Sequence, residues 1–340
     1  GGGTGPTETS AWAVTARWLE LVGIGGLLAL LLFRVLVWRD VWSPAPPMPA
    51  RERDAALSWG RDAWWIGFGV LALVALLGEA AVLVVKTAGS MGTSVWGALG
   101  DPEGMVRVLA DTRFGDLLQV RTLSLFVLFA LGVWRFLAEY RTDAVPAPDQ
   151  ADGGLRPILI MLVPALVALG SLSAQGHAST TAMPAVQVPA DALHAALASA
   201  WVGGLAILVV FLLRLPRVAG AGGRRAGGLA LARFSWLAVI AVVLLVASGI
   251  VRAIGQMSSP ADLWETPYGW TILVKIGLLT VASVLALDTR RIVATLRRRG
   301  GTPNTATLAR VRRNAWVEVG LTLVVVAFSA LLVGQVPPIS

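Results

Sequence analysis

Residues 234–254 read FSWLAVIAVVLLVASGIVRAI, a stretch in which Arg252 is the single charged side chain. A run of about 18 or more apolar residues is long enough to cross the hydrocarbon core of a bilayer as an α-helix. Backbone polar groups in lipid must be hydrogen-bonded within their own segment, so a helix is the expected form. The stretch therefore predicts a membrane-spanning helix.

Seven further runs of this kind are present, and together they predict an all-α transmembrane bundle of about eight helices. Hydrophobic residues make up 56% of the chain and charged residues 14%, whereas soluble domains usually carry about a quarter charged residues. The predicted spans are Trp18–Trp38, Trp64–Val85, Leu117–Leu137, Ile158–Ala174, Leu193–Leu213, Phe234–Ile254, Tyr268–Leu287 and Trp316–Val336.

The basic residues cluster in short loops between these spans, which explains the net charge of +8. We therefore expect the lipid bilayer as a partner and no nucleic acid. Arginines are concentrated after the fifth and seventh spans, and the positive-inside rule makes these loops cytoplasmic. With eight spans, both termini are then predicted to lie outside.

A short motif occurs twice. Thr112-Arg113-Phe114-Gly115 precedes Val120-Arg121, and Thr266-Pro267-Tyr268-Gly269 precedes Val274-Lys275. The two copies lie four helices apart, which predicts two parallel four-helix halves. The predicted division is a flexible outer tail (1–16), a first half (17–176) and a second half (177–340). The alternative is a recurrent helix-start signal, with threonine as the cap and an aromatic residue at the membrane interface.

The chain has no cysteine and two histidines. His177 lies at the predicted outer end of the fourth span, and His194 lies one turn into the fifth. The loop that joins these spans is predicted to contain Pro184 and Pro189. Neighbouring helices pack about 8–10 Å apart, so the two imidazoles can approach one another.

Several methionines fall in the predicted outer loops, among them Met91, Met183 and Met257. Thioether and imidazole donors suit copper, particularly Cu(I). The sequence therefore predicts a metal site built from the two histidines and these three methionines. The alternative is that the histidines are solvated and the methionines fill gaps in packing. Trp201 follows His194 by two helical turns, so it is expected either to pack near this site or to fill the helix interface.

Ionisable residues within apolar runs form a second candidate set. Charges inside a bilayer are costly and usually face the bundle interior or a partner. Arg121 and Lys275 are equivalent positions of the repeat, which favours a buried role for both, and Glu79 is a third intramembrane polar residue. For Asp288 and Glu318, near the predicted inner ends, we expect either snorkelling or a structural ion pair with nearby arginines.

Motifs of the common enzyme classes are missing from the sequence. It contains no Walker loop, G-x-S-x-G elbow or zinc-protease motif, so we predict no catalytic residues and disfavour an enzyme.

The order of several short motifs resembles the copper resistance protein D (CopD) family. Asp191-Ala192-Leu193-His194 with Trp201-Val202-Gly203-Gly204 is similar to the family's leucine–histidine pair and Trp-x-Gly-Gly. Further similar segments are Thr112-x-Phe114-Gly115 with Arg121, Gly176-His177-Ala178, Arg233-Phe234-Ser235, Thr266-Pro267-Tyr268-Gly269 with Leu273-Val274-Lys275, Glu318, and Pro337-Pro338. The resemblance covers roughly residues 60–340 and is strongest from 175 to 338.

The resemblance implies a multi-pass protein of the bacterial inner membrane that handles copper on its outer face, in import, homeostasis or resistance. It makes His177 and His194 candidate copper ligands. Because no CopC-like domain precedes the first span, a CopC-like soluble copper-binding protein is expected as a separate partner. Two alternatives stay open: an electron-transfer protein whose two histidines hold one b-type haem, and an accessory subunit of a membrane complex.

Overall fold

A computed structural model describes residues 10–42, 48–141, 155–298, 305–335 and 338. Within these residues eight helices are long and apolar enough to cross a bilayer, so the predicted all-α membrane bundle is confirmed. They are α1 (Ala11–Trp38), α2 (Ala50–Met91), α3 (Arg113–Tyr140), α4 (Leu155–Gln175), α5 (Pro184–Val218), α6 (Gly220–Gln256), α7 (Pro267–Arg298) and α8 (Thr305–Val333).

Short helices lie between the spans at Arg39–Trp42, Val95–Leu99, Pro102–Ala110, His177–Ser179 and Asp262–Glu265. Each predicted span falls within one of the eight helices except the last, because α8 ends at Val333 and Gly334 and Gln335 lie beyond it. Val336 lies outside the described residues, as do Pro337 and residues 1–9 of the predicted tail.

The start of α5 differs from the prediction. Pro184 is the first residue of α5 and Pro189 lies inside it, so placing both in a loop was wrong. Proline suits the first helical position because the N–H group there has no partner within the helix. Pro189 removes one further N–H group near the helix end, which the helix tolerates. His194 consequently lies about three turns into α5 rather than one.

Close approach at glycines packs α1 against α2 in antiparallel order. A Cβ atom at Gly23 would lie 2.3 Å from the backbone nitrogen of Ala75, and one at Gly78 would lie 2.5 Å from that of Glu20. Small residues at such crossings let helix backbones approach closely in membranes. α1 is the most buried of the eight spans, and it packs against α2, α4, α5 and α8.

A tight hairpin joins α5 to α6. Gly220 has a φ of 47°, in the left-handed region that glycine adopts without strain. A Cβ atom at Gly223 would lie 2.1 Å from the carbonyl oxygen of Leu215, so the hairpin closes only around a glycine. This turn sets α5 and α6 side by side and antiparallel.

The two copies of the repeated motif have the same local structure. Thr112 Oγ1 accepts a hydrogen bond from the Gly115 N–H at 3.0 Å and donates to the carbonyl four residues earlier at 2.6 Å. Thr266 Oγ1 likewise accepts a hydrogen bond from the Gly269 N–H at 3.0 Å and donates to the carbonyl four residues earlier at 2.7 Å. This match is compatible with an internal duplication and with a recurrent helix start, so the division into two halves stays a prediction.

Candidate functional site

A cavity of about 360 Å³ lies inside the bundle, with walls from α1, α4, α5, α6, α7 and α8. Most of its lining is apolar. The polar part of the lining includes His177, Asp191, His194, Arg252, Tyr268 and Lys275. The structure therefore brings both histidines to one cavity.

The His194 ring is oriented by α6. Its Nδ1 atom lies 3.1 Å from the carbonyl oxygen of Leu245 and 3.1 Å from Ser248 Oγ. A carbonyl oxygen only accepts hydrogen bonds, so Nδ1 carries the proton. In the neutral ring the lone pair then resides on Nε2, the arrangement seen in many metal-binding histidines. A Cβ atom at Gly249 would lie 3.3 Å from the ring, so glycine lets the imidazole lie against α6.

His177 is oriented by the end of α8. Its Nε2 atom lies 3.0 Å from the carbonyl oxygen of Val333, so Nε2 is the donor. In the neutral ring the free lone pair is on Nδ1. Each histidine thus has one nitrogen fixed by a backbone carbonyl and the other available to a ligand.

An ion pair fixes the register of α5 against α6 beside His194. Asp191 Oδ1 lies 2.6 Å from Arg252 Nε, and the buried Gln187 Nε2 donates to the carbonyl oxygen of Val251 at 3.0 Å. Asp191 was not predicted as a site residue. The signal available in the sequence was one acidic and one basic residue in apolar runs of consecutive spans.

Lys275 occupies the cavity wall on α7. No hydrogen bond or ion pair joins its ammonium group to any residue that the structure describes. Near the start of the same helix, the Tyr268 hydroxyl donates a hydrogen bond to the Gln256 side chain at the end of α6. The cavity lining thus includes three cationic side chains, Arg17, Arg252 and Lys275, and two carboxylates, Glu20 and Asp191.

Arg121 is fully buried at the centre of a charged network between α1, α2, α3 and α4. Its Nε atom lies 2.5 Å from Glu79 Oε1, and its Nη2 atom lies 2.6 Å from Glu20 Oε1. Arg17 also pairs with Glu20 at 3.0 Å. Arg17 and Arg121 both donate to Gln175 Oε1, at 3.0 and 3.2 Å. Glu20 was missed in the sequence, although a lone acid in the first apolar run signals a buried partner.

The three methionines do not line the cavity. Met91 ends α2 and is 38% exposed, Met183 precedes α5 and is 56% exposed, and Met257 follows α6. Among the described residues, no group of three or more His, Cys, Asp or Glu side chains could hold a metal ion. Of the five predicted metal ligands, His177 and His194 line the cavity.

Trp201 forms part of the cavity wall and is 2% exposed. It lies in a π-helical turn, Ser199–Gly203, a distortion that is frequent at functional sites. A Cβ atom at Gly203 would lie 2.4 Å from Ala29 Cβ, so α1 packs directly on this turn. Trp201 shares the cavity with His194, as expected of a residue two turns further along α5.

The two acidic residues near the other end of the bundle behave differently. The predicted ion pair is confirmed for Asp288, which accepts hydrogen bonds from Arg310 at 2.9 Å and from Asn314 at 2.9 Å. Glu318 is 3% exposed, and its carboxyl group has no hydrogen bond or ion pair to a described residue. The expectation for Glu318 was wrong because Arg310, two turns earlier on α8, is engaged by Asp288.

Comparison with known families adds a match over α6, α7 and α8. Residues 228–332 match the family model described as copper resistance protein D. The match includes Leu245, Arg252, Lys275 and Glu318, whereas His177 and His194 precede it.

Two characterised relatives are similar over longer stretches. The copper transport protein CutJ of Bacillus subtilis (strain 168) is 30% identical over 214 residues, which is 62% of this chain and 37% of CutJ. The inner membrane protein YebZ of Escherichia coli (strain K12) is 26% identical over 263 residues, 77% of this chain and 82% of YebZ. Neither name refers to haem, so the haem alternative gains no support. This chain is thus a multi-pass, copper-related membrane protein whose residues 228–332 match the copper resistance protein D family.

Proposed function

We propose that this protein binds copper in the cavity and moves it across the cytoplasmic (inner) membrane, in copper import or copper homeostasis and resistance. The family match, the relative named as a copper transport protein and the relative named as an inner membrane protein support this role. The aligned region spans 37% of the length of CutJ.

The observation that carries the proposal is the pair of oriented imidazoles in one cavity. Backbone carbonyls hold His177 Nε2 and His194 Nδ1 at 3.0 and 3.1 Å. The opposite nitrogens, His177 Nδ1 and His194 Nε2, keep their lone pairs. Imidazole is a good copper ligand, and a second hydrogen bond on the ring strengthens its basicity and fixes its direction.

Capture from the outer face is part of the same proposal. Since consecutive helices run antiparallel, the end of α2, the start of α5 and the end of α6 belong to the same end of the bundle as His177. Met91, Met183 and Met257 therefore lie at that end of the bundle. Thioethers are soft ligands that suit Cu(I), so these methionines suit a first, weak binding step before the ion reaches the imidazoles.

A soluble donor would dock at this same end. A CopC-like copper-binding protein outside the membrane can hand its ion to the exposed Met183 without entering the bundle. The arginines at the end of α5 and the start of α6, and those at the end of α7 and the start of α8, lie at the other end of the bundle. Their position supports an outward-facing histidine end by the positive-inside rule.

The test is copper binding by the purified full chain in detergent, measured as Cu(I) affinity and bound metal per protein. We expect His177→Ala and His194→Ala each to weaken binding at least tenfold, which is about 1.4 kcal/mol, and the double variant to lose the site. Ser329→Ala is the matched control, because Ser329 lines the same cavity but donates to the carbonyl of Val325. Unchanged copper content in the double variant would refute the proposal.

A further inference from the structure

Glu318 on α8 is a buried carboxyl group without a partner among the described residues. It is 3% exposed, and none of its carboxyl oxygens bonds to a described residue. Burying a charge in a helical bundle is costly unless a partner compensates it. Structural packing alone would favour an apolar side chain at this position.

The helical register places Glu318 in line with the cavity. Val325, Ser329 and Leu332 line the cavity from α8. Residues seven, eleven and fourteen positions apart share one face of an α-helix. Glu318 precedes these three residues by those spacings, so it lies on the same face, about 10 Å beyond Val325 along the helix axis.

Polar residues continue this face toward the far end of the bundle. Thr322 is 0% exposed and Asn314 is 5% exposed, one turn to either side of Glu318. Asn314 Nδ2 donates to Asp288 Oδ2 at 2.9 Å, and Asp288 pairs with Arg310. A row of buried polar groups thus leads from the cavity through Glu318 to an ion pair at the other end.

Charged groups on the neighbouring helices leave Glu318 uncompensated. Among the side chains that the structure describes on the helices packed against α8, the charged ones that are not exposed are Arg17, Glu20 and Arg34 on α1, Asp191 on α5, and Lys275 and Asp288 on α7. None of them forms an ion pair with Glu318. A single carboxyl group offers too few donors for a metal ion, but it suffices for a proton.

We propose that Glu318 binds and releases a proton between the cavity and the far end of the bundle, so that copper movement is coupled to proton movement. This inference rests on the proposed function, because it names the ion that accompanies copper. One O–H bond forms on the carboxyl group when a proton arrives from water at one side. The same bond breaks when the proton leaves to water at the other side, and no electron is transferred.

The test uses the full chain in proteoliposomes with an imposed copper gradient, with copper uptake and internal pH recorded together. In the wild type we expect protons to move with copper. Glu318→Gln should lower the number of protons moved per copper ion at least tenfold while cavity affinity in detergent stays within about twofold. Glu318→Asp, which keeps a carboxyl group, should restore part of the coupling. Glu103→Gln, which removes an exposed carboxyl group outside the spans, should leave it intact.

Copper transport without proton movement in the wild type, or full proton coupling in Glu318→Gln, would overturn the inference. If Glu318→Gln does not fold, Glu318→Asp carries the test: a shifted pH dependence of proton coupling supports the inference, and a pH profile identical to that of the wild type overturns it. If the wild type neither binds nor moves copper, the proposed function fails by itself. Infrared difference spectra across a pH titration then decide: a protonated-carboxyl band lost in Glu318→Gln and kept in Glu103→Gln supports proton binding, and a band unchanged in Glu318→Gln overturns it.

Discussion

Arg121 and Lys275 occupy the same position of a repeated motif, yet their surroundings differ. Arg121 is fully buried between Glu20 and Glu79, at 2.6 and 2.5 Å. Lys275 lies in the wall of the cavity, where no described residue pairs with it. One copy of the motif thus holds four helices together, while the other places a charge where a ligand or ion can meet it.

The two positions differ in whether a described residue of opposite charge pairs with the cation. A buried ion pair contributes little compared with apolar residues, but losing one partner leaves an uncompensated charge, which is strongly destabilising. The charged network around Arg121 is therefore closed, because its charges are paired with one another. The network around Asp191 is open, since Asp191 and Arg252 pair while Lys275, His177 and His194 line the cavity.

The largest expected effect comes from exchanging the two cations for methionine. Arg121→Met leaves Glu79 buried without its counter-charge and Glu20 paired with Arg17 alone, so we expect a loss of about 3–5 kcal/mol of stability. Lys275→Met leaves no described residue without a counter-charge, so it should lower the free energy of unfolding by under about 1 kcal/mol. Thermal unfolding followed by tryptophan fluorescence in detergent measures both.

Arg113→Met, at the exposed start of α3, controls for loss of an arginine as such and should be close to neutral. Equal destabilisation by Arg121→Met and Lys275→Met would contradict the contrast between the closed and open networks.

A smaller effect tests what the two halves share. A Cβ atom at Gly115 would lie 2.2 Å from the carbonyl oxygen of Leu109, and one at Gly269 would lie 2.1 Å from that of Asp262. Gly115→Ala and Gly269→Ala should therefore each cost about 1–3 kcal/mol, as overpacking does. The same unfolding measurement compares them.

Gly277→Ala is the matched control, because a Cβ atom there meets nothing within 4 Å. A loss at one motif and none at the other would show that the two helix starts are not equivalent.

The number and order of the spans could be predicted from the sequence because long apolar runs are a local property. Proline misled the prediction at the start of α5, since Pro184 and Pro189 both fit near a helix N-terminus. That His177 and His194 line one cavity could be expected from the sequence, because a short connection limits how far apart two consecutive helix ends can be.

Partner choice inside the bundle could not be predicted, because it depends on which helices touch. Glu20 is 101 residues from Arg121 in the chain but 2.6 Å from it in space. Asp191 and Arg252 meet only because the hairpin at Gly220 sets the register of α5 and α6. The isolation of Glu318 is likewise a result of packing, since Arg310 is engaged by Asp288.

The central claim is that His177 and His194 share one copper ion in the cavity. X-ray absorption at the copper edge of the Cu(I)-loaded protein tests it most directly. The account predicts scattering from two imidazole rings in the wild type and from one ring in His194→Ala. A spectrum dominated by sulfur neighbours, or one unchanged by His194→Ala, would contradict it.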